Sequence, residues 1–591
     1  MRMTTDYWHS LDKETARRYE LNPANIGIST PPFKDQLESL KTRIFQGASQ
    51  VELGFTGKGK GSAGQGSITP EQISKEEREQ IRLLAKINRV DLSTHNTVGV
   101  GSLSGFEERA RAFEKENQEA NLQELRRTIE FAADVAKGGP VVVHTGEFPR
   151  PIFKYRDEKF EGYPGEEKHA PVYLADPETG QVIPLRRDIK IYEPKWKDEK
   201  ERIPELDPQT NEFIFSKSPK TYEDLEKEFK ELKEKNPKEA EEKYRNDAGV
   251  YFYSKYAERE LLQTKGEVDR LMEFSEDTIR RVQSYRDQLP PEEFKKEMDK
   301  AERHAKNYRN TAAQYARRAK EMEDQLDRIQ PIQKVGVDRS ADAIARGALF
   351  AMDAEKSRNL ERPIFIAPEN IFPENGFGSH PEELKELIQA SRDKLQDLLW
   401  DEKQKKPTEQ GREFGIYSQK DAEKAAEDHI KATFDIGHLN TWKKYFKGTP
   451  EEFNEWVGNQ IDSLQEKKMI GHAHVTDNFG FYDEHVTPGE GTAPIGGFLK
   501  KLGEAKEKGD FTGKIIIEPG HQDVKAWTGA LRAFNSPIYR VDSTSRSWTE
   551  VEHSYFSRTA APSYMVGGVT PGATLSDEYN DWRFWSRLPI E

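Results

Sequence analysis

Cysteine is absent from all 591 residues, which removes disulfides, thiolate nucleophiles, iron–sulfur clusters and cysteine-type zinc sites. Histidine, aspartate and glutamate remain as the strong metal ligands, so any metal site must be of nitrogen and oxygen character. No stretch of about 18 apolar residues occurs, and nothing in that respect signals a membrane span. The opening MRMTTDYWHSLDKETARRYE lacks an apolar secretory core. We therefore expect a cytoplasmic protein with no membrane partner. Positive charge is also in deficit, the formal net charge being −14. That balance argues against nucleic-acid binding by the surface as a whole, because phosphate contacts need clustered lysine and arginine. It leaves room for a local basic patch. Apolar residues make up only 34% of the chain against 33% charged, so a core must be concentrated in some segments while charge is spread over others.

Such segments exist. Eight short apolar runs end in polar residues: Ile26 to Thr30, Val51 to Phe55, Val90 to His95, Val141 to His144, Ile364 to Glu369, Ala432 to Asp435, Ile470 to His474 and Ile515 to Glu518. Amphipathic stretches follow most of them, at Phe33 to Phe45, Ser74 to Ile87, Phe106 to Ala136, Pro381 to Trp400, Pro450 to Gln465 and Phe498 to Lys506. Eight βα units predict an α/β fold, a closed (β/α)8 TIM barrel. More than two hundred residues separate the fourth and fifth runs, far beyond the few of a barrel loop. The spacing predicts a first barrel half over 1–148, an inserted module over 149–335, a second half over 336–535 and a C-terminal extension over 536–591.

Within the module, Arg150 to Lys220 reads as irregular or hairpin structure. Val250 to Gln288 and Pro291 to Gln330, meeting at Leu289-Pro290-Pro291, read as an antiparallel helical hairpin. Phe252, Tyr256, Leu261, Leu271 and Phe274 are expected to form its apolar seam. Arg303, Lys306, Arg309, Arg317, Arg318 and Lys320 are read as a solvated face, with a nucleic-acid surface as the alternative. The extension carries Tyr539, Trp548, Tyr555, Phe556, Tyr564, Trp582, Phe584 and Trp585, so many aromatics that it is expected to dock, on the barrel or in a subunit contact. Self-association through the module or the tail is an expectation of the same kind.

Barrel active sites are assembled from side chains at the C-terminal ends of different strands. Here those ends read Thr94-His95, Val143-His144, Pro368-Glu369-Asn370, Phe434-Asp435-Ile436-Gly437-His438, His472-Ala473-His474-Val475-Thr476-Asp477 and Ile517-Glu518, with Asp483-Glu484-His485 and Gly489-Glu490-Gly491 between the last two. One strand-end histidine alone is more often a hydrogen-bonded rim residue than a ligand. Nine imidazoles and carboxylates together exceed the three or four that one catalytic zinc requires, so two or three ions are expected.

The ordered motifs Asp435-x-x-His438, His474-x-x-Asp477, Asp483-x-His485 with the trailing Gly-Glu-Gly, and Glu518 resemble the xylose isomerase-like barrels, most closely the endonuclease IV family of apurinic/apyrimidinic endonucleases. That resemblance implies zinc at a trinuclear site, with His95 and His144 on one ion. Glu369 would bridge to a second ion held also by Asp435, His474 and Glu518, and His438, Asp483 and His485 would hold the third. It further implies a bridging hydroxide as nucleophile on a phosphodiester, DNA being the family's substrate, with Glu369 and Glu518 as catalytic residues. Asn96-Thr97-Val98-Gly99 stands where the family carries an aromatic DNA wedge. His472 and Asp477 are read as supporting groups, a ligand role for His472 staying open, and His521 and Asn370 as groups orienting ligands. In the glycine-rich Gly57 to Ser67 loop, Lys58 and Lys60 are candidate phosphate-binding residues, a merely flexible loop being as good a reading. Two further functions fit the sequence: a sugar isomerase or epimerase using Glu369 and Glu518 with one Mn or Mg ion, and a metal-stiffened assembly protein without enzymatic activity.

Overall fold

A computed structural model describes residues 25–57, 68–198, 203–208, 213–518 and Ala530. Lys58, Lys60, His521 and the C-terminal extension lie outside them. Eight parallel strands form a closed barrel: β1 (Ile26–Ser29), β2 (Gln50–Phe55), β3 (Asp91–Thr97), β4 (Gly139–His144), β5 (Ile364–Glu369), β6 (Ala432–Asp435), β7 (Ile470–Val475) and β8 (Ile515–Ile517). Each pairs with its neighbours in chain order, and β1 closes on β8 with Ile28 opposite Ile517. The strands are Val- and Ile-rich because helices cover the barrel outside and side chains fill it inside, so both faces of each strand are dry.

Helix starts follow from local chemistry. Around the barrel run α1 (Gln36–Phe45), α2 (Lys75–Ile87) and α3 (Lys115–Val135), with the Asp35 and Ser74 side chains accepting from the amides of Glu38 and Glu77. The expected helix from Phe106 begins nine residues late, at Lys115. A small hairpin, Phe106–Glu107 against Ala112–Phe113, intervenes, with Gly105 and Arg111 both at positive φ.

The module contains α4 (Tyr222–Lys235), α5 (Pro237–Tyr244) and the hairpin helices α6 (Ala248–Gln283) and α7 (Pro291–Arg328). It has a core of its own in which Leu174, Leu185, Tyr222, Leu225, Phe229 and Phe252 pack together. The hairpin seam differs from expectation. Phe252 is buried and Tyr256 partly so, but Phe274 is 43% exposed, and the buried positions of α7 are Ala301, Ala305, Ala312 and Ala319. Small residues, not large ones, let the two helices approach. The six cations from Arg303 to Lys320 are exposed.

Helix α8 (Ile332–Arg358) returns the chain to β5, and the expected boundary at 335/336 falls inside it. Fourteen of its 27 residues are buried, mostly Ala and Gly, because it is packed between α3 and α9 (Pro381–Leu399). The remaining outer helices are α10 (Gln419–His429), α11 (Pro450–Glu466) and α12 (Ile495–Glu507). The module is anchored where it leaves the barrel. The buried Arg150 guanidinium donates to Glu383 (2.7 Å), Ser379 Oγ (2.6 Å) and the Pro373 carbonyl (3.2 Å), and lies over the Trp442 ring. Tyr155 stacks on His380, their ring centroids 3.7 Å apart.

Replacing Arg150 with Met would leave Glu383 buried without its partner. The expected loss is about 3–5 kcal/mol, read by thermal or denaturant unfolding; a loss under about 1 kcal/mol would show that the contact does not fasten the module.

Candidate metal centre

Strand register brings the candidate ligands together. Along parallel neighbours Glu369 stands opposite His144, and Asp435 opposite His474, at the C-terminal rim. His95 sits near the end of β3, two residues behind that level, where it pairs with Val142. His438 reaches the same mouth from a short helix, Ile436–Asn440, whose first amides are capped by Asp435: the His438 N–H donates to Asp435 Oδ1 at 2.8 Å. Gly437 is required between them, since a Cβ there would collide with Thr476. Asp483 and His485 come from the loop after β7. Asp477 ties that loop down, accepting from the amides of Asn478, Gly489, Gly491 and Ala493, all at 2.8–3.0 Å. Those contacts give the Gly-Glu-Gly stretch its structural reason and make Asp477 a support.

The nine sequence-predicted residues fall into three groups, the first two sharing Glu369, each with its ligand atoms within 4.8 Å of one another: His95, His144 and Glu369; Glu369, Asp435, His474 and Glu518; His438, Asp483 and His485. Atoms about 2.1 Å from one ion at tetrahedral angles stand about 3.4 Å apart. Three contacts match that edge: His95 Nε2 to Glu369 Oε2 at 3.4 Å, His144 Nε2 to the same oxygen at 3.5 Å, and His438 Nε2 to Asp483 Oδ2 at 3.3 Å. Glu369 Oε2 is buried and makes no hydrogen bond, while Oε1 faces His474 Nδ1 at 2.9 Å. The two oxygens thus address different groups, as a bridging carboxylate must. The donor set fits divalent ions.

Supporting contacts fix which nitrogen is presented. Nδ1 of His95, His438 and His485 lies 2.8–2.9 Å from the carbonyls of Asn96, Asn370 and Glu518, leaving each Nε2 turned to the cluster. Asn370 also clasps the Asp435 backbone, its side chain donating to the Asp435 carbonyl and accepting from the Asp435 amide, both at 2.9 Å.

Glu52, midway along β2, is the residue that a search of strand ends passes over. Its Oε1 lies 2.9 Å from His474 Nε2, and its Oε2 2.9 Å from His472 Nε2, with Ser93 Oγ donating to Oε2. The Oε2 contact is a hydrogen bond, so His472 pairs with Glu52, whereas Oε1 and His474 Nε2 are buried without hydrogen-bond partners, and Glu52, His472 and His474 make a further group with ligand atoms within 4.8 Å of one another. The sequence signal is a lone carboxylate in the otherwise uncharged run Gln50–Phe55, every residue of which is buried.

Without metal, the cluster is compensated by protons. Burial alone would raise the carboxyls of Glu52 and Glu369, but facing imidazoles, His474 foremost, hold both well below the usual range. Burial disfavours charge on His95 and His485, yet Glu369 and Asp483 respectively raise them to about 9. Burial depresses His144 to about 3, and it pushes Glu518 up.

No known protein-family profile matches the chain. A 91-residue stretch, 15% of this chain, is 40% identical to an uncharacterized protein of Methanocaldococcus jannaschii, and the match spans 26% of that protein's length. A crystal structure of a D-tagatose 3-epimerase-like protein aligns over 87% of this chain and 99% of its own, at a TM-score of 0.37 and 14% identity. Among the described residues, no helix is long and apolar enough to cross a membrane.

Two measurements test the centre. Glu52→Gln should weaken metal binding by about 10–100-fold, as loss of a ligand's supporting carboxylate does, in a chelator competition; unchanged affinity would make Glu52 a bystander. Metal must also displace the protons that His95 and His485 hold up to about pH 9. Affinity should therefore climb as pH rises towards that value, with proton release seen as buffer-dependent calorimetric heat. A pH-independent affinity would contradict the ligand assignment.

Proposed function

We propose that this chain is a metal-dependent hydrolase of phosphodiesters, resembling endonuclease IV in its site, with two or three divalent ions, zinc by the character of the ligands. The observation that carries the reading is the division of Glu369 between two ligand groups, with a third group, His438, Asp483 and His485, beside them. Bound divalent ions would supply hydroxide at neutral pH, by lowering the pKa of water to about 7, and charge to offset a departing oxygen. The chain's own residues do the rest. His95, His144 and His438 turn Nε2 towards the carboxylates, His474 is held through Nδ1 by Glu369, and Asp435 is fixed by Asn370 and Thr476.

Above the cluster opens a cavity of about 300 Å³ lined by His95, His144, His438, Asp483, His485 and Glu518 and by Pro31, Arg43, Val98, Ile371 and Phe372. Arg43 is the one guanidinium among the described residues lining it, which favours an anionic substrate. DNA, as the substrate the resemblance implies, belongs to this same proposal.

A second reading has its own observation. Glu369, Asp435, His474 and Glu518 would by themselves hold one ion between two glutamates, with Glu518 raised by burial towards proton exchange. That is the arrangement of a sugar isomerase or epimerase.

Elemental analysis of protein purified without chelator should find two or three divalent ions per chain. Glu369→Gln should lose metal, and cleavage of a phosphodiester should fall by more than about 100-fold, beyond what loss of a supporting group alone costs. One ion per chain, with turnover of a ketose or aldose and no ester cleavage, would replace the hydrolase by the isomerase.

A further inference from the structure

One group of metal-ligand type lies below the rim, in the barrel interior. Glu52, His472 and His474 bring one ligand atom each within 4.8 Å of one another, and their side chains are 1%, 0% and 0% exposed. Residues two apart on a strand share a face, so His472 lies on the inward side of β7, one level beneath His474.

Hydrogen bonding leaves this group short of donors. Glu52 Oε2 accepts from Ser93 Oγ and from His472 Nε2, both at 2.9 Å, while Oε1 is buried and accepts nothing. Donation through Nε2 leaves His472 Nδ1 as a lone pair, also buried and unpartnered. His474 donates from Nδ1 to Glu369 Oε1 at 2.9 Å, which leaves its Nε2 as a lone pair. That atom lies 2.9 Å from Glu52 Oε1 without a hydrogen bond. Two electron-rich atoms thus face each other in a dry interior with no proton aligned between them. Thr433, paired with His472 on the next strand, adds a buried hydroxyl that also lacks a partner. Roughly nine in ten buried polar groups in folded proteins are paired, so unpaired atoms gathered at one level mark a place where something binds.

The spacing selects the occupant. Neighbouring ligands of a six-coordinate ion with bonds of about 2.1 Å stand about 3.0 Å apart, close to the Glu52–His474 separation of 2.9 Å. Two imidazoles and a carboxylate are a transition-metal donor set. We propose that Glu52 through Oε1, His474 through Nε2 and a ring nitrogen of His472 hold a divalent transition-metal ion inside the barrel, separate from the ions of the rim. The mouth cavity is lined in part by Glu52, which gives the ion a way in. Burial on all sides makes it a clasp between β2 and β7 and not a catalytic centre. With the interior ion alone, His474 keeps its Nδ1 proton on Glu369. With an ion on each side, the ring releases that proton to solvent and bridges the two as an imidazolate, so the interior ion fixes a rim ligand from beneath. The interior ion is independent of the bond that the rim cleaves.

Glu52→Gln does not separate ligation from support, so the test uses His472→Gln, whose amide can still donate to Glu52. Full-length protein stripped with chelator, reloaded with excess manganese(II) and desalted should hold one ion more per chain than His472→Gln treated alike, by elemental analysis. Crystals of the loaded parent should show an anomalous manganese peak within bonding distance of Glu52 Oε1 and His474 Nε2. The peak should persist in Glu369→Gln, which removes the rim's bridging carboxylate. A rim that proves empty in the parent, beside an intact interior peak, would remove the hydrolase and leave this site. Equal ion counts in the parent and His472→Gln overturn the proposal, as does an ordered water where the peak should be.

Discussion

A fully buried carboxylate, Glu369, is the constraint around which the site is arranged. An anion at zero solvent exposure is tolerated only when opposite charge surrounds it. His95, His144, His438 and His474 supply four imidazoles around it, from four different parts of the barrel rim. His95 and His438 are aimed by the backbone carbonyls of Asn96 and Asn370, and His474 lies against the second buried carboxylate, Glu52. The mouth is thus a nested arrangement in which outer groups place inner ones.

This nesting links the barrel to the loops. The Asp435 carboxylate caps the helix that presents His438, while the Asp477 carboxylate gathers four amides and so shapes the loop that ends beyond His485. Neighbouring Glu147 does similar work on the other side: buried, and pushed up by that burial, it accepts from the Ser104 amide and from the hydroxyls of Ser102 and Ser340. It thereby binds the loop after β3 to the loop after β4 and to α8. Electrostatic demands at the centre and loop geometry at the rim are one problem solved with the same residue types.

Much of this was legible in the chain. Strand ends in a parallel barrel carry polar residues in a dry apolar run, and β5 and β6 were delimited to the residue by that contrast. The ligand groups follow from the same rule, because register alone sets Glu369 beside His144 and Asp435 beside His474. Glu52 escaped because it lies mid-strand, where a carboxylate looks like an interruption and its purpose appears only when β7 is placed across the barrel from it. Helix α8 escaped because alanine and glycine buried on nearly every side leave no apolar stripe. The hairpin seam departs from the sequence expectation at Phe274 for a related reason: closely packed helices bury their smallest residues, and the large ones are pushed to the flanks.

Where the module leaves the barrel and where it returns are touching points. Gly336, early in α8, packs against the Phe148 ring so closely that a Cβ would strike it, and the short strand Gln330–Pro331 lies beside Pro171–Ala175. A long detour of chain therefore departs and re-enters through one doorway. The barrel on one side of that doorway can keep its closure and its rim while the detour is lengthened, shortened or exchanged, so the appendage is free to vary without disturbing the mouth.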